Sequence, residues 1–85
     1  MGTKPERIEG LEITSVDDGC LIYQPEKNRV HYLNHTAVLI LELCTGQYSP
    51  AEIAAMVQRT YALPDMPTRE VHEILTRLHD EGLTQ

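Results

Sequence analysis

The sequence predicts an α+β fold in which a three-stranded antiparallel sheet is followed by three α-helices. Apolar residues recur with the strand period of two up to residue 33 and with the helical period from residue 35 onward. Asn34 lies at this change, where its side chain can cap the N–H groups of a first helical turn. A chain of 85 residues accommodates one compact domain with a modest core.

Three short runs rich in β-branched and other apolar residues predict the strands, at residues 11–16, 20–24 and 29–33. The first turn ends in Gly19, which we expect to tolerate a positive φ. The second turn ends in Asn28, which suits the left-handed conformation. Short turns between successive strands predict an antiparallel meander.

Three helices are predicted after the sheet, over residues 35–45, over residues 50–61, and from a cap at Thr68 to Gly82. The first helix is apolar on more than one face, so we expect it at the centre of the domain. Ser49 and Glu52 have the spacing of a capping box. Gly82 ends the third helix, and Leu83 is expected to fold back onto it.

The polar N-terminus, residues 1–9, is expected to be a flexible segment, with the domain spanning residues 10–85. No run approaches the roughly 20 apolar residues that a membrane helix needs. The N-terminus also lacks the apolar region of a secretory signal. We therefore expect a cytoplasmic protein with no membrane contact.

The charge balance argues against a nucleic-acid partner. Thirteen acidic residues outnumber seven Lys and Arg, which gives a formal net charge of −6, whereas binding to phosphates requires clustered bases. A helix-turn-helix DNA-binding regulator is the competing interpretation. Its recognition helix would mix acids with bases over residues Arg69, Glu70, His72, Glu73, Thr76, Arg77 and Asp80.

Catalytic and metal-binding motifs are missing from the sequence. His72 and His79 are two helical turns apart, which is not the spacing of a two-histidine metal pair. We find neither a glycine-rich phosphate loop nor a nucleophile motif. The sequence therefore predicts a protein that is not an enzyme and has no metal or other cofactor. For Cys20 and Cys44 it favours free buried thiols over a disulfide.

Several motifs resemble the PqqD-like family, in order over about residues 11–84. The most specific are the junction Leu33-Asn34 and the run ILELCTG at residues 40–46. The resemblance implies a winged helix-turn-helix-like fold and the role of a RiPP recognition element, a peptide chaperone that binds the leader of a ribosomally made precursor peptide. It also implies a modifying enzyme as partner: a radical SAM enzyme first, or a leader protease or cyclase.

The resemblance also implies a groove between the third strand and the third helix, where the leader docks as an added strand. An edge strand offers unpaired N–H and C=O groups for such pairing. The expected peptide-binding residues lie on these two elements: Arg29, Val30, His31, Tyr32, Leu33, Val71, His72, Leu75, Thr76 and His79.

Simpler interpretations stay open for the same elements. The spacing of the apolar residues of the third helix is more typical of a core than of a ligand-facing surface, which leaves His72, Thr76 and His79 as candidates for the groove rim. A homodimeric interaction module without a peptide ligand is a further alternative.

Overall fold

The computed structural model describes residues 4–85 and confirms the predicted fold class. Its antiparallel sheet has the strand order β1-β2-β3, with bounds Glu12–Val16, Gly19–Gln24 and Arg29–Asn34. Helices α1, α2 and α3 follow, with bounds His35–Leu43, Pro50–Thr60 and Thr68–Asp80. Within residues 4–85, helices that combine the length and the apolarity needed to cross a membrane are absent.

Gly19 is required for a different reason from the predicted one. It is an ordinary strand residue that lacks a positive φ, so that part of the prediction is wrong. A Cβ atom at Gly19 would overlap the carbonyl oxygen of Leu33 and lie 2.9 Å from the Cα of Asn34. The close approach of β3 therefore excludes a side chain here. In the second turn Asn28 has φ 50°, which confirms its left-handed conformation.

The N-terminal caps of α1 and α2 are as predicted. The Asn34 side chain accepts a hydrogen bond from the backbone N–H of Ala37 at 2.9 Å. Ser49 and Glu52 form the reciprocal capping box, with donor–acceptor distances of 2.8 and 3.2 Å. These bonds satisfy N–H groups that have no partner within their own helix.

The cap predicted for α3 is wrong. Pro67 is the N-cap and makes no side-chain cap bond, and Thr68 is already helical. The Pro67 carbonyl accepts from the N–H of Val71 at 3.0 Å, so the helical ladder begins one residue earlier than expected. At the other end Gly82 has φ 78° and Leu83 is fully buried, which confirms the predicted C-terminal turn.

Helix α1 is the central helix, as predicted, and contacts β2, β3, α2 and α3. It ends two residues earlier than expected, because Cys44 leaves the helical conformation with ψ 73° and Thr45 pairs with Glu6. Cys20 and Cys44 are free and buried, as predicted. Among residues 4–85 the core contains 14 buried residues: Cys20, Ile22, Leu33, Ala37, Ile40, Leu41, Cys44, Ile53, Ala54, Val57, Val71, Leu75, Leu78 and Leu83.

Part of the segment expected to be flexible is bonded to the domain. The Arg7 N–H donates to the Cys44 carbonyl at 2.8 Å, and the Ile8 N–H donates to the Leu83 carbonyl at 3.0 Å. The N–H of Gln85 donates to the Glu6 carbonyl at 2.8 Å. Residues 5–8 thus pack beside the C-terminus, a contact between chain ends that local sequence patterns do not reveal. Residues 1–3 lie outside the described range.

Candidate functional site

The candidate site is the outer edge of β3, which faces the C-terminal half of α3. Strand β3 pairs with β2 on one side, and among residues 4–85 no strand pairs with its other side. Such an edge exposes a row of backbone donors and acceptors.

The sheet register identifies which groups of β3 point outward. Val16 pairs with Gly19 across a two-residue turn. Backbone bonding in an antiparallel ladder alternates along the strand, so odd-numbered residues of β2 bond to β1 and even-numbered ones bond to β3. The β3 partners of the even-numbered residues are Arg29, His31 and Leu33. The N–H and C=O groups of the intervening residues 30 and 32 therefore point away from the sheet.

Two contacts agree with the assignment of outward backbone groups to residues 30 and 32. The Tyr32 carbonyl oxygen lies 3.5 Å from Nη2 of Arg77, which is on α3 outside the sheet. The Leu33 carbonyl oxygen lies on the opposite side of the strand, where it approaches Gly19 of β2. Adjacent carbonyls on β3 thus point in opposite directions.

The β3 side chains divide between the two faces of the sheet. Leu33 is buried beneath the helices, whereas Val30 and Tyr32 are 62% and 47% exposed on the opposite face. The Tyr32 hydroxyl donates to the Asp18 carbonyl at 3.0 Å, which fixes its ring over the sheet. Leu33 therefore holds β3 in the sheet and offers a ligand neither outward backbone groups nor a free side chain.

A polar cluster joins β3 to the end of α3. Gln24 is fully buried; its Nε2 donates to the Gly82 carbonyl at 3.1 Å, and its Oε1 lies 3.0 Å from His31 Nε2. His31 Nε2 must therefore be the donor in that second bond. The other ring nitrogen, Nδ1, lies 3.6 Å from Oε1 of Glu81. The cluster holds the two residues that follow α3, Glu81 and Gly82, against the sheet.

The carboxylate of Glu81 lies between the side chains of His31 and Arg77. Its Oε2 is 3.6 Å from Nε of Arg77, and its buried Oε1 has no hydrogen-bond partner among the described residues. Arg77 and Glu81 together bridge the gap between α3 and β3. The contacts with Tyr32 and His31 show that α3 runs roughly antiparallel to β3.

Helical periodicity identifies the remaining groups on this side of α3. Residues three, four and seven positions before Arg77 share its face, and they are Ile74, Glu73 and Glu70. Ile74 is half-buried against the core, and the two glutamates are exposed. The wall opposite β3 is therefore an apolar base flanked by charged side chains.

The third-helix residues selected from the sequence lie elsewhere. Val71 is in the core. The others line a separate depression of about 420 Å³ together with Pro5, Pro50, Thr84 and Gln85: His72, Leu75, Thr76 and His79. The structure brings Arg29, Val30 and His31 together with Asp80 and Glu81 in a depression of similar volume.

Three residues that contact β3 were not among the expected site residues: Gln24, at the end of the neighbouring strand β2, and Arg77 and Glu81 on the α3 side. The spacing of Glu70, Ile74, Arg77 and Glu81 marks one helical face and could have identified the pair on α3. Gln24 gives no comparable signal, because a single polar residue at a strand end is ordinary. Within residues 4–85 no group of His, Cys, Asp and Glu is arranged to hold a metal ion.

Comparison with known proteins shows which family the chain belongs to. The family described as "Coenzyme PQQ synthesis protein D (PqqD)" matches residues 19–83, which include β2, β3 and all three helices. The chain belongs to the PqqD family. This membership confirms the resemblance seen in the strand-to-helix junction at Leu33-Asn34 and in residues 40–46.

A solved structure has the fold of this PqqD-family chain. It is described as "Lasso peptide synthetase B1 complexed with the leader peptide" and superposes with a TM-score of 0.70 over 96% of this chain and 98% of that one, at 22% sequence identity. At this identity the likeness establishes the shared fold. No curated protein matches the sequence.

Proposed function

We propose that this PqqD-family domain captures the leader segment of a ribosomally made precursor peptide as an added strand on the outer edge of β3. The observation that carries the proposal is the row of outward backbone groups at residues 30 and 32, which faces α3 across a gap bridged by side chains. The similarity to a protein whose structure is solved in complex with a leader peptide supports the ligand class.

Strand addition fits the chemistry of this edge. An incoming strand pairs with the N–H and C=O of Val30 and Tyr32, and its alternate side chains face α3. Backbone pairing supplies affinity without regard to sequence, while the α3 wall around Ile74 discriminates between side chains. The residues that we assign to this role are Arg29, Val30, His31 and Tyr32 of β3, together with Ile74, Arg77 and Glu81.

The depression beside His72 and His79 is not part of this groove. It lies on another face of α3 and contains residues from both chain ends. Strand capture at β3 should leave the NMR signals of these residues unchanged, so they provide an internal control.

The domain then presents the captured segment to a modifying enzyme. We propose that this domain is itself non-catalytic, as its PqqD-family membership suggests, and that the chemistry belongs to the partner. A radical SAM enzyme is the first candidate partner, and a leader protease or a cyclase is the alternative. All three act on peptides made in the cytoplasm, which is the location that we propose.

Nuclear magnetic resonance titration tests the proposal directly. The probes are synthetic 12-residue peptides that tile the short open reading frames beside the gene, added to ¹⁵N-labelled full-length protein. We expect one segment to bind with a Kd of about 1 μM, equivalent to about −8 kcal/mol. The largest shifts should occur at the amides of Val30 and Tyr32 and at the side chain of Arg77.

Other outcomes would contradict the proposal. Saturable shifts confined to the depression beside His72, or to the β1 edge, would place the ligand elsewhere. A stable dimer in sedimentation, with β3 amides protected and no peptide bound, would instead favour the homodimeric module.

A further inference from the structure

Arg77 occupies a position that an added strand would need. Its Nη2 lies 3.5 Å from the Tyr32 carbonyl oxygen, one of the outward acceptors on β3. The contact is at the long limit for a hydrogen bond, and the Arg77 side chain is 57% exposed. A peptide N–H that pairs with Tyr32 therefore competes with this guanidinium for the carbonyl oxygen.

A guanidinium released from Tyr32 can stay beside the bound strand. Its backbone is fixed on α3, and its Nε lies 3.6 Å from Oε2 of Glu81 on the next helical turn. Release from Tyr32 frees the Nη donors while the charge stays over the groove. A guanidinium so placed is a good donor to a carboxylate, which it can bind through two parallel hydrogen bonds.

The charges around Arg77 limit where a carboxylate is accepted. Glu70 and Glu73 lie on the same helical face before it, and Glu81 follows it. The other arginine of α3, Arg69, is eight residues away and points about 80° around the helix from Arg77. An acidic side chain on the ligand is therefore attracted beside Arg77 and repelled by the rest of this face.

Strand geometry places that acidic side chain relative to Tyr32. The ligand residue that pairs with Tyr32 directs its side chain to the same face as Tyr32, away from the helices. The residue immediately before or after it directs its side chain toward α3. Only this neighbouring position brings a carboxylate next to Arg77.

We infer that Arg77 is a specificity-determining residue that selects leader segments carrying Asp or Glu at the α3-facing position next to the Tyr32 pair. This inference rests on the proposed capture of a strand at β3. It adds a substrate class: leaders with one fixed acidic residue, on a protein whose own net charge is −6.

Charge reversal in a displayed peptide library tests the inference. A library of random 12-residue peptides is selected on the wild type, on Arg77→Glu, and on Arg69→Glu, the matched control at the other end of α3 and about 80° around the helix. Wild type and R69E should enrich Asp or Glu at one position relative to the apolar residues. R77E should enrich Lys or Arg at that same position.

Affinities of single enriched peptides supply the quantitative measurement. Changing the selected acid to its amide should weaken binding to the wild type about tenfold and to Arg77→Gln by less than about twofold. If all variants enrich strand-binding peptides without this charge preference, Arg77 has no such role although strand capture stands. If no variant enriches a peptide that shifts the β3 amides, strand capture fails and this inference fails with it.

Discussion

Val30 and His31 are neighbours on β3, yet their backbone N–H groups point to opposite sides of the strand. The register pairs His31 with Ile22 and Val30 with Tyr23, and only the first of these pairs exchanges backbone hydrogen bonds. A donor on one residue therefore holds the sheet together, and a donor on the next is available to a ligand.

Proline substitutions should separate these two roles. Val30→Pro removes an outward donor, which an edge strand tolerates, so the protein should fold and bind its peptide about tenfold more weakly. His31→Pro removes a ladder donor and should unfold the domain. Circular dichroism and peptide titration measure both effects.

The opposite edge of the sheet provides a matched control for Val30→Pro. Ile13 lies on β1, and by the same alternation its N–H points away from β2. Ile13→Pro should therefore keep both fold and peptide affinity. Equal loss of binding in both edge variants would show that neither edge is the specific site.

Gly19 should not tolerate a side chain although its backbone dihedrals are ordinary. Gly19→Ala places a Cβ against the Leu33 carbonyl and 2.9 Å from the Asn34 Cα, so we expect a loss of about 2 kcal/mol or more in the free energy of unfolding. Gly10→Ala, where no atom lies within 4 Å of the added Cβ and φ is +84°, should cost only about 1 kcal/mol. Urea denaturation compares the two, and equal losses would contradict the close approach.

Asn34 should act on stability and not on binding. Asn34→Ala removes the acceptor of the 2.9 Å bond from the Ala37 N–H and should cost about 0.5 to 2 kcal/mol. Asn34→Ser, which keeps a capping oxygen, is the control and should lose less. An unchanged melting curve together with abolished peptide binding would assign Asn34 to the ligand site instead.

Cys44 should make the fold less stable at high pH. Burial raises the pKa of this thiol from 9.0 to about 11, and the charge of Arg7 opposes the shift only in part. Below pH 9 both states keep the proton, whereas between pH 9 and pH 11 the unfolded chain has lost it and the folded chain has not. The free energy of unfolding should therefore fall over that interval.

Comparison with Cys44→Ala isolates this effect. The variant lacks the thiol, so the difference in stability between it and the wild type should shrink as the pH rises from 9 to 11. Val57→Ala shortens another buried side chain and keeps Cys44, so its difference from the wild type should stay constant. A constant difference for both variants would show that Cys44 titrates normally.

Peptide binding should depend weakly on salt. Backbone hydrogen bonds and apolar contacts dominate strand addition, so Kd should change about threefold or less between 50 and 200 mM NaCl, whereas six to ten phosphate contacts would change it about a thousandfold or more. Fluorescence anisotropy with a labelled peptide and with duplex DNA makes the comparison. Tight DNA binding that weakens steeply with salt would support the helix-turn-helix alternative.

The strands and helices of this protein are predictable from its sequence to within about two residues at each end, because their signals are local. The switch of apolar period at Asn34, the Ser49–Glu52 capping box and the turn at Asn28 each depend on residues within a few positions of one another. The same local motifs carry the resemblance to the PqqD family, which the family match over residues 19–83 confirms.

Which edge of β3 and which face of α3 lie together depends on tertiary contacts. The alternation of apolar residues shows that successive β3 residues face opposite sides of the sheet. Which of them direct their N–H and C=O groups outward depends on how the first hairpin closes at Val16 and Gly19. On α3 the sequence favoured His72, Thr76 and His79 for the groove rim, whereas the contacts with β3 come from Arg77 and Glu81.

The face of α3 beside β3 was not predictable because an amphipathic helix has two borders between its buried and exposed faces. The sequence specifies the buried stripe but does not distinguish which border lies beside the sheet and which lies beside the chain ends. That choice follows from the packing of α3 on α1 and α2 and from the partly buried cluster of Gln24, His31 and Glu81. These contacts join residues far apart in sequence, so local periodicity cannot encode them.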